Sequence, residues 1–290
     1  MEYIKESELI LNPDGSVYHL NLKPENIAHD IIFVGDQDRV AQVTAHFDHI
    51  EFETQKREFK TQTGTYKGKR LTVISTGIGA DNIDIVLNEL DALVNIDFAT
   101  RTIKKQHTSL NIVRIGTSGA LQENIPVDRF LMSKYALGTD NMLRSYQANH
   151  VTNLAIETAF VQHTNWHASK GKPYAVEGNA QLLKQFDSEE IYKGITITAG
   201  GFYGAQGRKI RLQLQDDSLN KKIESFEYET FQATNLEMET AAIYGLSKLL
   251  NHQAISLNAI VANRKTGVFS SNPQLTIDRL IKYALNKIID

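Results

Sequence analysis

The sequence predicts a single α/β domain in which a central mixed β-sheet is flanked by helices. Short, almost continuously apolar runs, typical of buried strands, alternate with longer segments whose apolar residues recur with the period of an α-helix. Glycines directly follow several of the apolar runs, as is common where strands end at one edge of an α/β sheet. Because no repeat, linker or break in composition divides the chain, we expect residues 1–290 to form one domain.

The individual elements follow from these patterns. The apolar runs predict strands at 31–34, 71–75, 111–115, 195–199 and 254–261, and helical periodicity predicts helices at 38–47, 82–94, 239–250 and 277–289. A hairpin turn is predicted within 63–68, and segments 97–110 and 140–190 are predicted to be connecting structure. Since ligands bind at the carboxyl ends of strands in such sheets, the edge that carries the glycines is the expected site.

Composition limits the function classes. The chain has no cysteine, which excludes disulfides, thiolate catalysis and cysteine-based zinc sites. The net charge is −3 and no block of basic residues resembles a nucleic-acid footprint. No apolar run reaches the roughly 18–20 residues of a membrane span. The first residues also lack the apolar centre of a signal peptide. We therefore expect a soluble, cytoplasmic protein that binds neither nucleic acid nor membranes.

The most informative segment is 114–120, which reads Arg-Ile-Gly-Thr-Ser-Gly-Ala. It predicts a strand that ends in a tight loop of small residues, with Arg114 interrupting an apolar pattern. Burying a guanidinium costs several kcal/mol unless an anion pairs with it, and the following backbone N–H groups and hydroxyls suit an anion. The segment therefore predicts a phosphate site, with a structural arginine–carboxylate pair as the alternative.

Three further segments carry chemistry-bearing side chains, and two of them follow predicted strands. Gly35 and Arg39 flank the start of a helix and suit a second phosphate contact, with a capped helix and a solvated arginine as the alternative. Phe202 offers a stacking face beside Gln206 and Arg208, which suits the edge of a planar heterocycle carrying carbonyl oxygens; the alternative is an ordinary polar loop.

The third segment contains Glu237, Met238 and Glu239 at a predicted helix start. A carboxylate there suits a diol such as a ribose 2′/3′ pair, and simple helix-terminal charge is the alternative.

Taken together and in chain order, segments 17–20, 35–39, 57–59, 75–79, 114–120, 202–208, 235–239 and 263–264 resemble the uridine phosphorylase branch of the nucleoside phosphorylase family. The resemblance spans about residues 17 to 265 and implies the family's fold. It also implies phosphorolysis of uridine to uracil and ribose 1-phosphate with inversion at C1′, and it leaves deoxyuridine and thymidine open as alternative substrates. Inorganic phosphate would be a co-substrate, with no other cofactor.

The resemblance also implies residue roles, which can be grouped by substrate. Phosphate would be bound by Gly35, Arg39, Arg114 and Thr117, with Arg57 from a neighbouring subunit; ribose by Thr117, Glu237, Met238 and Glu239, with His19 from the partner; and the base by Ser118, Gly119, Phe202, Gln206 and Arg208. The catalytic group would be Arg114, Gln206, Arg208 and Glu239. A monovalent cation near Glu58 and Ser75 is a further implication. Active sites shared in this way require self-association, as a dimer or a hexamer of dimers.

Two departures and three competing functions qualify this interpretation. Gln37 replaces a proline common in the family, and Gly204-Ala205 replaces a motif that often carries proline or glutamate. A purine nucleoside phosphorylase would be expected to carry an acidic residue after the late strand, where this chain reads Ala262-Asn263-Arg264. A hydrolytic nucleosidase would have no use for arginines that face phosphate, and a non-catalytic nucleoside-binding protein would be expected to have lost Arg114, Arg208 or Glu239.

Overall fold

A mixed β-sheet of 12 strands forms the centre of the structure, a computed structural model that describes residues 3–289. The strands are β1 (Asp30–Val34), β2 (His49–Lys56), β3 (Phe59–Tyr66), β4 (Lys69–Ser75), β5 (Ile96–Asp97), β6 (Thr102–Ile103), β7 (Asn111–Ala120), β8 (Phe130–Gly138), β9 (Tyr174–Glu177), β10 (Ile191–Thr198), β11 (Glu227–Tyr228), β12 (Phe231–Glu237), β13 (Gln253–Asn263) and β14 (Val268–Phe269). The helices are α1 (Gln37–Thr44), α2 (Ala80–Asn95), α3 (Leu154–Thr164), α4 (Ala180–Gln185), α5 (Leu219–Glu224), α6 (Thr240–Leu249) and α7 (Pro273–Ile289).

The strand order brings the carboxyl ends of several strands to one place. Along the sheet the order is β11-β12-β10-β8-β13-β7-β1-β4-β3-β2, with β9 on β8 and β14 on β13, while β5 and β6 pair separately. Strand β1 is parallel to both β4 and β7, and β13 is parallel to β7. Because β12 also pairs with β7, the strands β7, β12, β10, β8 and β13 close into a ring. The sheet is therefore mixed, as predicted.

Both faces of the sheet are covered, which explains the continuous apolar runs. In β1, Ile31 and Phe33 pack into the cluster formed with α2 and α6, whereas Ile32 and Val34 pack into the cluster formed with α1, α4 and α7. Successive side chains of a strand point to opposite faces, so a strand buried on both sides is apolar at every position. A third cluster fills the space between α3, α5 and the strands β10 and β12.

All the predicted strands and helices are present, with shifted ends. The five apolar runs lie in β1, β4, β7, β10 and β13, and the four periodic segments lie in α1, α2, α6 and α7. The predicted turn at 63–68 is confirmed only at its end, because Thr63 to Tyr66 belong to β3. Among residues 3–289, no helix combines the length and apolarity that a membrane crossing requires.

The prediction that a loop begins after residue 115 was wrong. Strand β7 continues to Ala120, since Thr117 to Ala120 pair with β13 and Gly119 and Ala120 also pair with β12. Gly116 is required within the strand because a Cβ there would overlap the guanidinium of Arg114, which folds back over it. Small residues at this point therefore mark a close approach of side chain to backbone rather than a turn.

Several elements were missed in the sequence. The segment 140–190, predicted to be connecting structure, contains α3, β9 and α4, and segment 97–110 contains β6. Strands β2, β3 and β12 are rich in polar residues, so they lack the apolar run that identified the other strands. In β12 the polar residues Thr234, Asn235 and Glu237 are buried, which apolar periodicity cannot reveal.

Candidate active site

A cavity of about 860 Å³ lies where the predicted site was expected, at the carboxyl ends of β1, β7, β12 and β13. Its lining includes most of the residues predicted for binding: Gly35, Arg39, Arg114, Thr117, Ser118, Gly119, Phe202, Gln206, Arg208, Glu237, Met238 and Glu239. These residues come from four separate stretches of sequence. The fold therefore brings them together.

One end of the cavity carries two arginines, the buried Arg114 and the partly buried Arg39. Strand β1 ends at Val34, and after Gly35 the side chain of Asp36 caps α1 by accepting from Asp38 N at 2.9 Å, which places Arg39 on the first turn. Burial lowers the pKa of Arg39, and the positive charge of Arg114 lowers it further. Within residues 3–289, Arg39 Nε is buried and has no hydrogen-bond partner. Such an unpaired donor beside a second cation favours an anion at this end.

Arg114 is the shared cation of a buried ion-pair network that contains Glu237 and Glu239. Its Nη2 lies 2.5 Å from Glu239 Oε2 and 3.3 Å from Glu237 Oε2, and its Nη1 donates to Asn258 Oδ1 at 3.0 Å. Burial opposes its charge, but Glu237 and Glu239 outweigh burial and raise the pKa of Arg114 above its usual value. The structural arginine–carboxylate pair considered as an alternative is thus present, and it lies in the wall of the cavity.

The two glutamates have different surroundings. The carboxylate of Glu237 accepts from Glu239 N, Thr240 N and Thr240 Oγ1, and also from Thr198 Oγ1 at 2.5 Å. It therefore serves as the cap of α6, and its acceptor sites are used within the protein. Direct contact of Glu237 with ribose stays a prediction.

Glu239 accepts from Gly79 N at 2.8 Å and from Arg114, which leaves acceptor capacity on both oxygens. Burial raises the pKa of Glu239, Arg114 opposes the rise, and Glu237 adds to it. Gly79, with φ of +98°, occupies a backbone region that favours glycine, and this conformation presents its N–H to the carboxylate. The carboxylate is therefore held rigidly at the start of α6.

The other end of the cavity is lined by an aromatic side chain and further cations. The guanidinium carbon of Arg208 lies 3.9 Å from the centroid of Phe202, and Nη1 donates to Gln206 Oε1 at 2.5 Å. Burial lowers the pKa of Arg208. Ser118 Oγ accepts a hydrogen bond from the side chain of the buried Asn235 at 3.0 Å, which fixes the position of the Ser118 hydroxyl in the cavity lining.

Arg264 is a lining residue to which sequence reasoning gave no role. Its Nη2 donates to Gln206 O at 2.9 Å, and its Nη1 is buried without a hydrogen-bond partner among residues 3–289. Burial, assisted by the charge of Arg208, lowers the pKa of Arg264 to about 10, so it stays charged at neutral pH. The available signal was an arginine directly after the apolar strand β13, in the segment 263–264.

Two predicted residues do not line the cavity of their own chain. His19 lies in a loop before β1, where its Nδ1 is 2.6 Å from Glu89 Oε1, and Arg57 lies in the turn between β2 and β3 with φ of +56°. The ring of Tyr18 connects them: it stacks edge-on against His19 at 4.8 Å and lies 5.9 Å from the guanidinium of Arg57. His19 and Arg57 therefore occupy one surface beside the cavity, and they do not line it themselves.

The residues implied for a monovalent cation are already bonded. Ser75 Oγ donates to Glu58 O at 2.6 Å and accepts from Lys60 N at 2.7 Å, which fixes the start of β3. The side chain of Glu58 instead lines the cavity next to Gly77. These residues of one chain do not form a cation site, and a site completed by a second chain stays a prediction.

A cluster outside the cavity contains Asp91, His107 and His252, whose candidate ligand atoms lie within 4.8 Å of one another. His252 Nδ1 accepts from Leu110 N at 3.2 Å, so the neutral ring carries its proton on Nε2. That Nε2 faces Asp91 at 3.4 Å. The tautomer suits an interaction between histidine and aspartate, whereas a metal would need the free electron pair of Nε2.

Comparison with known proteins agrees with this geometry. Residues 30–280 match the family model described as the phosphorylase superfamily. The chain is 27% identical to a uridine phosphorylase of Thermococcus kodakarensis over 88% of this chain and 80% of the relative. It is 25% identical to a DeoD-type purine nucleoside phosphorylase of Listeria monocytogenes over 93% and 98%.

Among solved structures, a Trypanosoma brucei nucleoside phosphorylase described as showing uridine phosphorylase activity superposes with a TM-score of 0.87. It has 30% identity and covers 97% of this chain and 99% of its own. A uridine phosphorylase of Phytophthora capsici, at 21% identity and a TM-score of 0.70, shares the fold. The family match and these similarities show that the chain belongs to the phosphorylase superfamily and is an enzyme of its pentosyltransferase class.

Proposed function

We propose that the protein is a uridine phosphorylase, which transfers the ribosyl group of uridine to inorganic phosphate. The observation that carries the proposal is that the buried Arg114 and the partly buried Arg39 line the same cavity as Phe202, Gln206 and Arg208. One cavity thus offers an anion site and a site for a heterocycle rich in carbonyl oxygens. Glu239, which accepts from Arg114 and lines the same cavity, offers acceptors for a sugar diol.

Phosphate binding would satisfy the unpaired Nε of Arg39 and reduce the repulsion between its charge and that of Arg114. Arg114 has donors beyond those used by Glu239 and Asn258, so it can contact phosphate while it holds the ribose-binding carboxylate. The nucleophile and the sugar would then be oriented by one side chain. Such orientation makes the attack on C1′ effectively intramolecular.

Cleavage of the glycosidic bond leaves negative charge on the uracil carbonyl oxygens. Arg208 and Arg264 place positive charge near this end, and Gln206 is held between them by its side-chain oxygen and its backbone oxygen. Fixed donors that meet a charge developing in the transition state stabilise it more than they stabilise the ground state. These residues would therefore act mainly on turnover, and inorganic phosphate would be the only co-substrate.

Self-association would complete the site. His19 and Arg57 share one surface but do not line their own cavity, so we propose that they reach the cavity of a second copy of this chain. There Arg57 would add a third cation to the phosphate end, and His19 would contact the 5′-hydroxyl. A dimer is the smallest assembly that provides two complete sites in this way.

Purine nucleoside phosphorylase is the second candidate, because relatives with that name match at 25% identity. A purine leaving group would gain from an acid that protonates N7, and the corresponding stretch places Asn263 and Arg264 there. The amide of Asn263 is held by Gln122 O, Ile125 O, Lys265 N and Thr266 N, so it is structural. Arg264 is a permanent donor, which suits a carbonyl-bearing pyrimidine better.

The test is release of free base from uridine, deoxyuridine, thymidine and inosine, each with and without phosphate. We expect phosphate-dependent release of uracil from uridine and little reaction of inosine. Cleavage of inosine in preference to uridine would assign the purine activity. Equal rates without phosphate would indicate a nucleosidase, and nucleoside binding without cleavage would indicate a non-catalytic binding protein.

A further inference from the structure

The carboxylate of Glu89 is bonded to the loop that carries His19. Glu89 lies on α2, and its Oε2 accepts from Leu20 N at 2.8 Å and from His19 N at 3.1 Å. Its Oε1 accepts from His19 N at 2.9 Å and faces His19 Nδ1 at 2.6 Å. One buried side chain therefore holds both the backbone and the imidazole ring of the same histidine.

The position of Glu89 is an unusual one for a carboxylate. Its neighbours on α2, Val86, Leu87 and Leu90, belong to the largest apolar cluster, and Glu89 itself is only 9% exposed. A buried carboxylate is unfavourable unless its acceptor sites are filled. Here two backbone N–H groups and an imidazole fill them, so the side chain is compatible with the core only because the His19 loop lies against it.

This arrangement sets the tautomer of His19. A carboxylate oxygen that faces Nδ1 can only accept, so Nδ1 carries a proton. In the neutral ring the electron pair is then on Nε2, which has no hydrogen bond to residues 3–289, and the side chain is 27% exposed. Nε2 is consequently an acceptor, suited to a group that donates a hydrogen bond.

We propose that Glu89 is a positioning residue that holds His19 as a hydrogen-bond acceptor for the 5′-hydroxyl of the nucleoside in a neighbouring subunit. The proposal rests on the proposed function, because it assigns a specificity role within that reaction. It predicts that the enzyme discriminates between a 5′ group that donates and a 5′ group that only accepts. The discrimination should depend on a residue that never touches the substrate.

The variant Glu89→Gln tests the proposal with almost no change in shape. The single amide oxygen can still accept from the N–H groups of Leu20 and His19, as Oε2 does now. The amide NH₂ then replaces Oε1 and donates to Nδ1, which moves the ring proton to Nε2. The substrates are uridine and 5′-deoxy-5′-fluorouridine, whose fluorine cannot donate. The variant Asp84→Asn makes the same chemical change on a more exposed part of α2 and is the control.

We expect kcat/KM for uridine divided by kcat/KM for the fluoro analogue to fall about tenfold in Glu89→Gln, because the ring then donates from Nε2, and a hydroxyl oxygen and a fluorine can both accept that hydrogen bond. We expect no change of this ratio in Asp84→Asn. Nitrogen-15 NMR of labelled histidine should show the His19 proton on Nδ1 in the wild type and on Nε2 in Glu89→Gln.

Equal losses for both substrates, or a His19 proton on Nε2 in the wild type, would overturn the role of Glu89 while uridine phosphorolysis itself stands. If the wild type releases no uracil from uridine, the proposed function fails, and the 5′-hydroxyl role of Glu89 fails with it. The two failures are therefore distinguishable.

Discussion

Replacing Arg114 by methionine tests the ion-pair network at the centre of the site. The substitution keeps a long, flexible side chain but removes the charge that faces Glu239 at 2.5 Å and Glu237 at 3.3 Å. Two buried carboxylates then remain near each other without their common cation. Removing one partner of a buried ion pair costs about 3–5 kcal/mol of the free energy of unfolding. At about 2–4 °C per kcal/mol, we expect the melting temperature at pH 8 to fall by roughly 6–20 °C.

The stability loss in Arg114→Met should increase with pH. Burial already raises the pKa of Glu239 above its value in an unfolded chain, and Arg114 opposes that rise. Without Arg114 the pKa of Glu239 rises further. A group with a raised folded pKa favours the folded state while it is protonated, and this advantage is lost as the pH rises through the folded pKa. The variant should therefore be closest in stability to the wild type near pH 5 and furthest from it near pH 8.

The assay is thermal unfolding at fixed protein concentration from pH 5 to pH 8. The double variant Arg114→Met, Glu239→Gln should recover part of the stability at pH 8, since one uncompensated charge is gone. The control Lys193→Met breaks an exposed pair with Asp187 at 2.7 Å and should cost less than about 1 kcal/mol. A loss in Arg114→Met no larger than in this control, or one independent of pH, would refute the reasoning.

Three further predictions concern single positions. Gly116→Ala should lower phosphate affinity at least tenfold in a binding titration, because the new Cβ displaces the Arg114 guanidinium; unchanged affinity would contradict this. Arg208→Ala should lower kcat about 10²–10³-fold with a less than threefold change in phosphate affinity, and equal losses in both would exclude a leaving-group role. Gln37→Pro removes a 2.7 Å bond to Arg57 O but suits the first position of α1. Its melting temperature should stay within about 2 °C while KM for phosphate rises about threefold, and an unchanged KM would count against Arg57 as a phosphate contact.

The sequence predicted most of the fold because its central strands are buried on both faces. In β1 and β13 the apolar run is nearly continuous, so the strands and the edge where they end could be identified. Strand β12 escaped detection because it places Thr234, Asn235 and Glu237 in the interior, where hydrogen bonds rather than apolar contacts hold them. Burial of polar residues depends on partners distant in sequence, and periodicity carries no information about those partners.

For the site too, the sequence indicates residue types but carries no information about partners distant in sequence. Residue types at strand ends identified Arg39, Arg114 and the pair Gln206 and Arg208, since an isolated cation after an apolar run needs an anion or a carboxylate. Their partners could not be predicted. That Glu237 caps α6 while Glu239 stays available follows from distances set by the folded chain.

The proposed function depends most directly on phosphate being a reactant rather than a structural anion. Phosphorus-31 NMR of the enzyme with uridine and inorganic phosphate measures this. The account predicts that the phosphate signal is replaced, mole for mole with released uracil, by that of α-ribose 1-phosphate, the product of inversion at C1′. Release of uracil with an unchanged phosphate signal and free ribose would contradict it.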